Sequence, residues 1–258
     1  MYRLSEEEIT VLHERVLEIG IIFHNILDRH SIPYYMLGGT MLGAIRHKGF
    51  IPWDDDMDFG IPRAYYNDAL LALENELPTR YRLLRSTSGQ TLYDCTKIED
   101  TATEIEEEGS TEKGRGVFVD IFPLDYGNGK WGITSRNWWI RSFMALNNFK
   151  GNWPQCVKLK IVAVLVRLFP RNFFLSLSHR ILSSDGDHII NYGGYWGEKE
   201  VVDKEIFGNP QLYDFEGYMF YGVENPDKYL QKLYGNYMEL PPEEKRHSHI
   251  INFNIKNI

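Results

Sequence analysis

The amino-acid sequence predicts an α/β (α+β) protein with a mixed sheet flanked by helices. Three observations carry that expectation. Stretches with apolar residues at helical spacing alternate with short apolar runs of strand length. A Gly38-Gly39 pair and the aspartate run Asp54-Asp55-Asp56-Met57-Asp58 lie on either side of one predicted helix. A block from Tyr126 to Ser184 then breaks the alternation: it holds no Asp or Glu and reads mostly as helix.

Each element has its own local cause. Ser5 followed by Glu6, Glu7 and Glu8 has the form of a capped helix start, with acids at the positive end of the helix dipole. Apolar residues at Ile9, Leu12, Val16, Ile19, Ile22, Phe23 and Ile26 carry this helix to about His30, and Ser31-Ile32-Pro33 ends it. Tyr34 to Leu37 is a short buried strand, Gly38-Gly39 a turn, and Thr40 the cap of a helix running through Arg46. His47 to Pro52 is loop; Asp56 to Ile61 enters the sheet as a strand that Pro62 closes. Arg63 to Leu77 is helical as far as Pro78.

Strands follow at Tyr81 to Leu84, Thr91 to Ile98, Thr103 to Ile105 and Val117 to Ile121, with a charged hairpin loop over Glu106 to Gly116. Past the acid-free block, loops and short strands extend from Gly193-Gly194 to Gly222, and Pro226 to Leu233 is a last helix. The expected organisation is a core over residues 1–125, a basic helical insertion over 126–184, and a C-terminal part, 185–258, that completes the core domain.

At 258 residues, 43% hydrophobic and 25% charged, the chain can stabilise one large domain without staples. Cys95 and Cys156 form no Cys-x-x-Cys pair and read as thiols in a reducing compartment. The first twenty residues carry acids where a secretory leader has a basic region, and no window approaches the ~18 apolar residues of a membrane span. The expectation is a soluble or peripheral protein of the cytoplasm.

The aspartate run carries the chemistry. In an extended segment Asp54, Asp56 and Asp58 share one face while Asp55 and Met57 share the other. Three like charges so close raise one another's pKa unless a cation sits among them. Carboxylate oxygens suit Mg²⁺ (or Mn²⁺), bound together with substrate phosphate. A bare solvated acidic loop is the alternative, but Ile51, Trp53, Phe59 and Ile61 flank the run and draw it to the core edge. An EF-hand fails, because Phe59 stands where its glycine is needed and Tyr65 where its glutamate is needed. Gly38, Gly39 and Thr40, at a helix start, offer backbone N–H groups to an anion, and Arg46, His47 and Lys48 add positive charge nearby.

The run LGGTMLGAIRHKGFIPWDDDMDFG, Leu37 to Gly60, closely resembles the signature of the LicD family. These are phosphodiester-forming transferases that include bacterial phosphocholine transferases and, more distantly, the fukutin-related sugar transferases. The resemblance continues in Lys97-Ile98-Glu99-Asp100, Val119 to Asp125, Phe215-Glu216-Gly217, Asp227 to Leu230, Tyr234-Gly235 and Leu240 to Arg246. It implies a nucleotidyltransferase fold, in which a Gly-Gly turn precedes an Asp-x-Asp strand and a later strand supplies a third carboxylate. Asp120, alternating with Val119 and Ile121, fits that role better than Asp125.

The resemblance also implies a CDP-activated alcohol as donor, with CDP-choline the best-known case. A hydroxyl of a cell-surface glycan (lipopolysaccharide, teichoic acid or capsule) or of its lipid-linked precursor accepts the phospho-alcohol, and CMP leaves. Asp56, Asp58 and Asp120 are then the catalytic and metal-binding carboxylates, with Asp54 assisting. Gly38, Gly39, Thr40, Arg46 and Lys97 face the substrate. Glycerol or ribitol phosphate transfer, ordinary nucleotidyl transfer and a non-catalytic nucleotide-binding module are the alternatives. The aromatic residues between Tyr192 and Tyr221 suit a choline pocket, though core packing accounts for them more simply.

Nine bases, Lys130, Arg136, Arg141, Lys150, Lys158, Lys160, Arg167, Arg171 and Arg180, populate the acid-free block of a chain whose net charge is −8. Val157 to Phe169 reads as a basic interfacial helix with tryptophans nearby, suited to an anionic membrane at the inner face of the plasma membrane. A helical subdomain with solvated bases is the equal alternative. Nucleic acid is not expected, since the protein is acidic overall and shows no recognised module.

Overall fold

The computed structural model describes residues 4–85, 95–107, 114–127, 186–191, 193–194, 196–246 and 248–256. Helix α1, Glu6–Arg29, starts at the expected capping box: Ser5 Oγ accepts from the Glu8 amide at 3.2 Å, and the Glu8 carboxylate accepts from the Ser5 amide at 2.7 Å. Leu12, Val16, Ile19, Phe23, Ile26 and Leu27 form its buried stripe. Each such side chain contributes roughly 1.5–3 kcal/mol by leaving water. Phe23 stacks on Phe59 with ring centroids 4.4 Å apart, which fixes the helix against the sheet.

The chain divides into two compact units, one comprising 1–124 with 205–258, the other 125–204. In the first, strands β1 (Tyr35–Met36), β2 (Asp58–Pro62), β3 (Tyr81–Leu84), β4 (Thr96–Asp100) and β6 (Phe118–Gly127) lie in the order β1-β2-β6-β4-β3. The sheet is mixed: β2 runs parallel to β6, while β1–β2, β4–β6 and β3–β4 are antiparallel. Helix α2, Gly38–Arg46, joins β1 to the aspartate loop, and α3, Arg63–Glu76, follows β2 directly. Strand β5, Thr103–Glu107, pairs with the C-terminal strand β11, Ile250–Ile255. Strands β9 (Gln211–Phe215) and β10 (Tyr218–Gly222) form a hairpin, and helix α5, Pro226–Tyr234, comes after it. In the second unit, β7 (His188–Asn191) pairs antiparallel with β8 (Val201–Asp203); the short helix α4, Lys204–Phe207, follows in sequence as the chain re-enters the first unit.

Strand β2 starts at Asp58 rather than Asp56 and β5 runs to Glu107 rather than Ile105; three further boundaries differ from expectation for a physical reason. Helix α2 begins at Gly38, with Leu37 in extended conformation at its N-cap, so Thr40 is not the cap. Gly38 adopts φ +47°, which only glycine enters freely, and the helix can therefore start straight from the strand. Strand β4 runs past Ile98 through Glu99 and Asp100, both fully buried, because Arg82 and Arg80 of the neighbouring segment bind those carboxylates. Strand β6 continues through Pro123 to Gly127, since Phe122 and Leu124 remain buried beyond the residue that reads as its stop. The predicted strand residues 91–94, the hairpin tip 108–113, Cys156 and all nine bases of the acid-free block lie outside the described residues. No described helix is long and apolar enough to cross a membrane.

Candidate active site

The aspartate run is held from several sides, although Asp54 to Met57 belong to no strand. The Asp54 amide donates to the Ile51 carbonyl at 2.8 Å, and the Asp54 carbonyl meets His13 Nε2 of α1 at 2.7 Å. The His13 ring lies flat on Phe50, centroids 4.1 Å apart. The Phe50 amide in turn donates to Glu216 at the tip of the β9–β10 hairpin, at 3.0 Å. Asp55 turns one oxygen to β11, where the Ile250 amide donates at 2.6 Å and Ser248 Oγ at 2.5 Å. Met57 points away toward α1, its sulfur against Gly20. The Asp58 amide donates to Thr40 Oγ1 at 2.7 Å, and the Asp58 carbonyl accepts from Leu37 at 2.9 Å.

These restraints gather the carboxylates. Asp54, Asp55 and Asp56 each present an oxygen within 4.8 Å of the others. Simple alternation assigned Asp55 to the opposite face. The turn at Pro52 and Trp53 and the irregular chain after it instead bring an Asp55 oxygen within reach of the group, while Asp55 Oδ2 anchors β11. Asp58 and Asp120 are register partners on the parallel strands β2 and β6, so both side chains project from one face. Lys97 is the partner of Asp120 on the other side, from β4. Asp125, five residues along β6, has the opposite parity and is buried.

Lys97 Nζ donates to Asp120 Oδ2 at 2.9 Å and hangs 3.3 Å over the Phe118 ring. It also lies 2.7 Å from Asp120 Oδ1, but outside hydrogen-bond geometry, so that buried oxygen accepts no hydrogen bond. Burial is the largest influence and opposes the Lys97 ammonium, yet Asp120, Cys95 and Glu107 together outweigh it and the lysine pKa rises.

The Gly-Gly pair proves to be a space requirement as much as a turn. A Cβ on Gly39 would stand 2.5 Å from an Asp54 oxygen, and one on Gly38 3.3 Å from Asp58. The positive end of α2 thus faces carboxylates of the chain itself. The Gly38 amide is engaged by the Tyr229 hydroxyl of α5 at 3.1 Å. Arg46, at the far end of α2, donates to the Tyr237 carbonyl at 2.7 Å and to His47 Nε2 at 2.9 Å.

Crowding and burial act on the acids together. The Asp54 carboxyl is pushed up to about 7, first by burial and then by Asp55, with Arg46 pulling the other way. Asp56 is pushed well above the usual carboxylate range by burial and then by Asp58, Asp54, Asp55 and Asp120. A cation among them would reverse both shifts. Three carboxylates gathered within 4.8 Å of one another, with Asp58 and Asp120 close enough to act on Asp56, are hard oxygen donors that fit a divalent cation.

Sequence reasoning missed His13 and Glu107 and met Tyr229 only within the motif Asp227 to Leu230. Glu107, at the end of β5, is half-buried; burial raises its carboxyl, Lys97 lowers it and Asp120 raises it. None of the three had a spacing signal, because each reaches the loop from a distant element. Glu216 was visible only within its Phe-Glu-Gly motif. Of the aromatic residues between Tyr192 and Tyr221, Phe220 is tilted against Phe59, Phe215 sits edge-on to Phe50 and the Tyr221 hydroxyl donates to Asp28, whereas Tyr218 is exposed and Tyr192 and Tyr195 lie outside the described residues.

A Gly-Gly-initiated helix set against carboxylates on two parallel strands of a mixed sheet defines a nucleotidyltransferase-type phosphotransfer domain. Residues 31–153 match the family described as LicD/FKTN/FKRP, nucleotidyltransferase domain. The chain is 28% identical to the lipopolysaccharide cholinephosphotransferase LicD of Haemophilus influenzae, over 95% of this chain and 97% of that one. A shorter likeness, 47% over 36 residues, links it to the human ribitol 5-phosphate transferase FKRP, covering 14% of this chain and 7% of that protein. Residues 31–153 thus carry a LicD-type domain, and the likeness to a cholinephosphotransferase over nearly the whole chain marks the protein as a phosphotransferase.

Proposed function

We propose that the protein transfers a phospho-alcohol, phosphocholine in the best-supported case, from a CDP-activated donor to a hydroxyl of a cell-surface glycan or its lipid-linked precursor. The observation that carries this reading is the alignment of Asp58 with Asp120 beside Asp54 and Asp56, under the amino end of α2. Full-length likeness to a cholinephosphotransferase supports choline; the short likeness to a ribitol phosphate transferase keeps CDP-ribitol as the second donor to try.

Asp56, Asp58 and Asp120 would hold Mg²⁺ or Mn²⁺, assisted by Asp54. The bound ion supplies charge neutralisation at the transferring phosphoryl group and orients its oxygens. The acceptor oxygen forms the new P–O bond as the bond from phosphorus to CMP breaks. Asp120, paired with Lys97 at 2.7 Å, takes the hydroxyl proton. Lys97 therefore acts through Asp120, while Arg46 lends positive charge for phosphate. The helix start at Gly38, Gly39 and Thr40 positions the donor by holding the carboxylates beneath it.

The test is release of CMP from a panel of CDP-alcohols with Mg²⁺ and a glycan acceptor. Wild type is expected to favour one CDP-alcohol, and Asp56→Asn and Asp58→Asn are each expected to remain folded and inactive. Either variant keeping more than about a tenth of the CMP release would rule out these ligands, since losses of this kind cost 10²-fold or more. Release of pyrophosphate from a nucleoside triphosphate, without CMP release from any CDP-alcohol, would favour ordinary nucleotidyl transfer instead.

A further inference from the structure

We propose that Arg46 and Arg246, both anchored to the loop between Tyr237 and Pro241, with Arg246 over Trp53, form a phosphate-binding subsite beside the aspartate loop. The inference rests on the phosphotransfer reading above and extends it to a second anionic group of the substrates.

Arg46 ends α2, and Arg246 follows the short turn Glu243–Lys245 near the C-terminus. Their convergence has a structural cause. Arg46 donates to the Tyr237 carbonyl and Arg246 Nε to the Pro241 carbonyl, each at 2.7 Å, so one short loop draws in both guanidinium groups. Arg246 also lies 5.2 Å above the Trp53 ring, and stacking of this kind fixes the plane of the fork. Trp53 immediately precedes Asp54, so the pair adjoins the carboxylates.

The two arginines are half-buried, and neither takes part in an ion pair among the described residues. Burial lowers the Arg46 pKa first; Tyr234 opposes this, Arg246 lowers it further, and Asp54 raises it. Two like charges held close at a half-buried place are costly unless an anion joins them. The bonds named here use two of Arg46's five N–H groups and one of Arg246's. A planar fork meets two phosphate oxygens at once, which a lysine cannot do. The carboxylate cluster needs a cation and this pair needs an anion. A substrate spanning both carries a reacting phosphoryl group over the cluster and a further phosphate over the arginines. That phosphate is either the second one of a nucleoside diphosphate donor or one carried by the acceptor.

Calorimetry on the full chain with Mg²⁺ separates these sources, using CDP, inorganic pyrophosphate and cytidine as ligands. Arg46→Gln and Arg246→Gln are each expected to weaken CDP and pyrophosphate about ten- to a hundredfold, the range for losing a charge-assisted contact, with cytidine unaffected. Arg246→Lys, which keeps the charge without the fork, is expected to fall between and stands in if the glutamine variant does not fold. Unchanged Mn²⁺ affinity will show that the carboxylates are undisturbed. A CDP affinity that holds while the KM of a phosphate-bearing acceptor rises by the same factor assigns the subsite to the acceptor. Folded Arg246→Gln with wild-type affinity for CDP and pyrophosphate and a wild-type acceptor KM overturns the subsite and leaves the proposed activity standing. Arg246-dependent pyrophosphate binding in a wild type that ignores CDP keeps the subsite and removes the CDP donor.

Discussion

At the scale of single residues, the site is a problem in like-charge repulsion that the fold solves by tying down everything except the carboxylate oxygens. The Asp54 carbonyl, one Asp55 oxygen, and the Asp58 amide and carbonyl all have partners, so relaxation by moving the chain is blocked. The strain is left on the charges, and it should be measurable as pH dependence. Asp54 titrates at about 7 in the folded chain, against about 3.9 when unfolded. Between those values the folded state keeps a proton that the unfolded state has released, so this group's contribution to stability falls as pH rises from about 4 to about 7. In EDTA, Asp54→Asn is expected to flatten the decline in melting temperature across that window. Superimposable wild-type and Asp54→Asn curves would mean that Asp54 is not the strained acid. A second expectation separates the two acids of β6. Asp120→Ala should cut CMP release by roughly 10²-fold or more, and Asp125→Ala far less, because its parity turns it from Asp58. The reverse order in steady-state assays would transfer the role to Asp125.

At the scale of elements, what could be read from the sequence was what depends on local chemistry. The capping box of α1, the span of β3 and the alternation that exposes Asp120 all follow from residues within a few positions of one another. The start of α2 was misplaced because Thr40 is a good cap in isolation, whereas the carboxylates fold back onto Gly38 and Gly39 and need the space. Strand β4 was cut short because buried Glu99 and Asp100 make sense only once Arg80 and Arg82 come alongside. His13 was invisible for the same reason, being 41 residues from the carbonyl it holds. Packing of α2 on the following loop gives a sharp test. A Cβ on Gly43 would lie 2.4 Å from the Gly49 carbonyl oxygen, a backbone atom that cannot swing aside. In an exposed helix, Gly→Ala stabilises by up to about 1 kcal/mol. Here the sign should reverse, with Gly43→Ala losing about 1–3 kcal/mol in urea melts. A more stable Gly43→Ala protein would show that α2 and its loop are looser than the structure has them.

At the scale of the whole molecule, both ends of the chain build the site: α1 and the Asp loop come from the first sixty residues, and Arg246 and β11 from the last fifteen. The acid-free block lies in sequence between them, within a chain whose other segments hold every one of its acids. That partition of charge is hard to explain by solubility, which either sign would serve. It suits a catalyst whose acceptor is carried on lipid. Each base near an anionic leaflet contributes about 1 kcal/mol, falling off within a Debye length. Three or four of the nine bases facing the surface would therefore give measurable binding. The protein is expected to co-sediment with vesicles containing phosphatidylglycerol, to be released by added salt, and to be recovered far less on neutral vesicles. Replacing Lys158, Lys160, Arg167 and Arg171 with Gln should abolish co-sedimentation while CMP release with a soluble acceptor continues. Wild-type protein that stays in the supernatant with anionic vesicles at low salt would make the block a surface for some other partner, and the catalytic reading would be untouched.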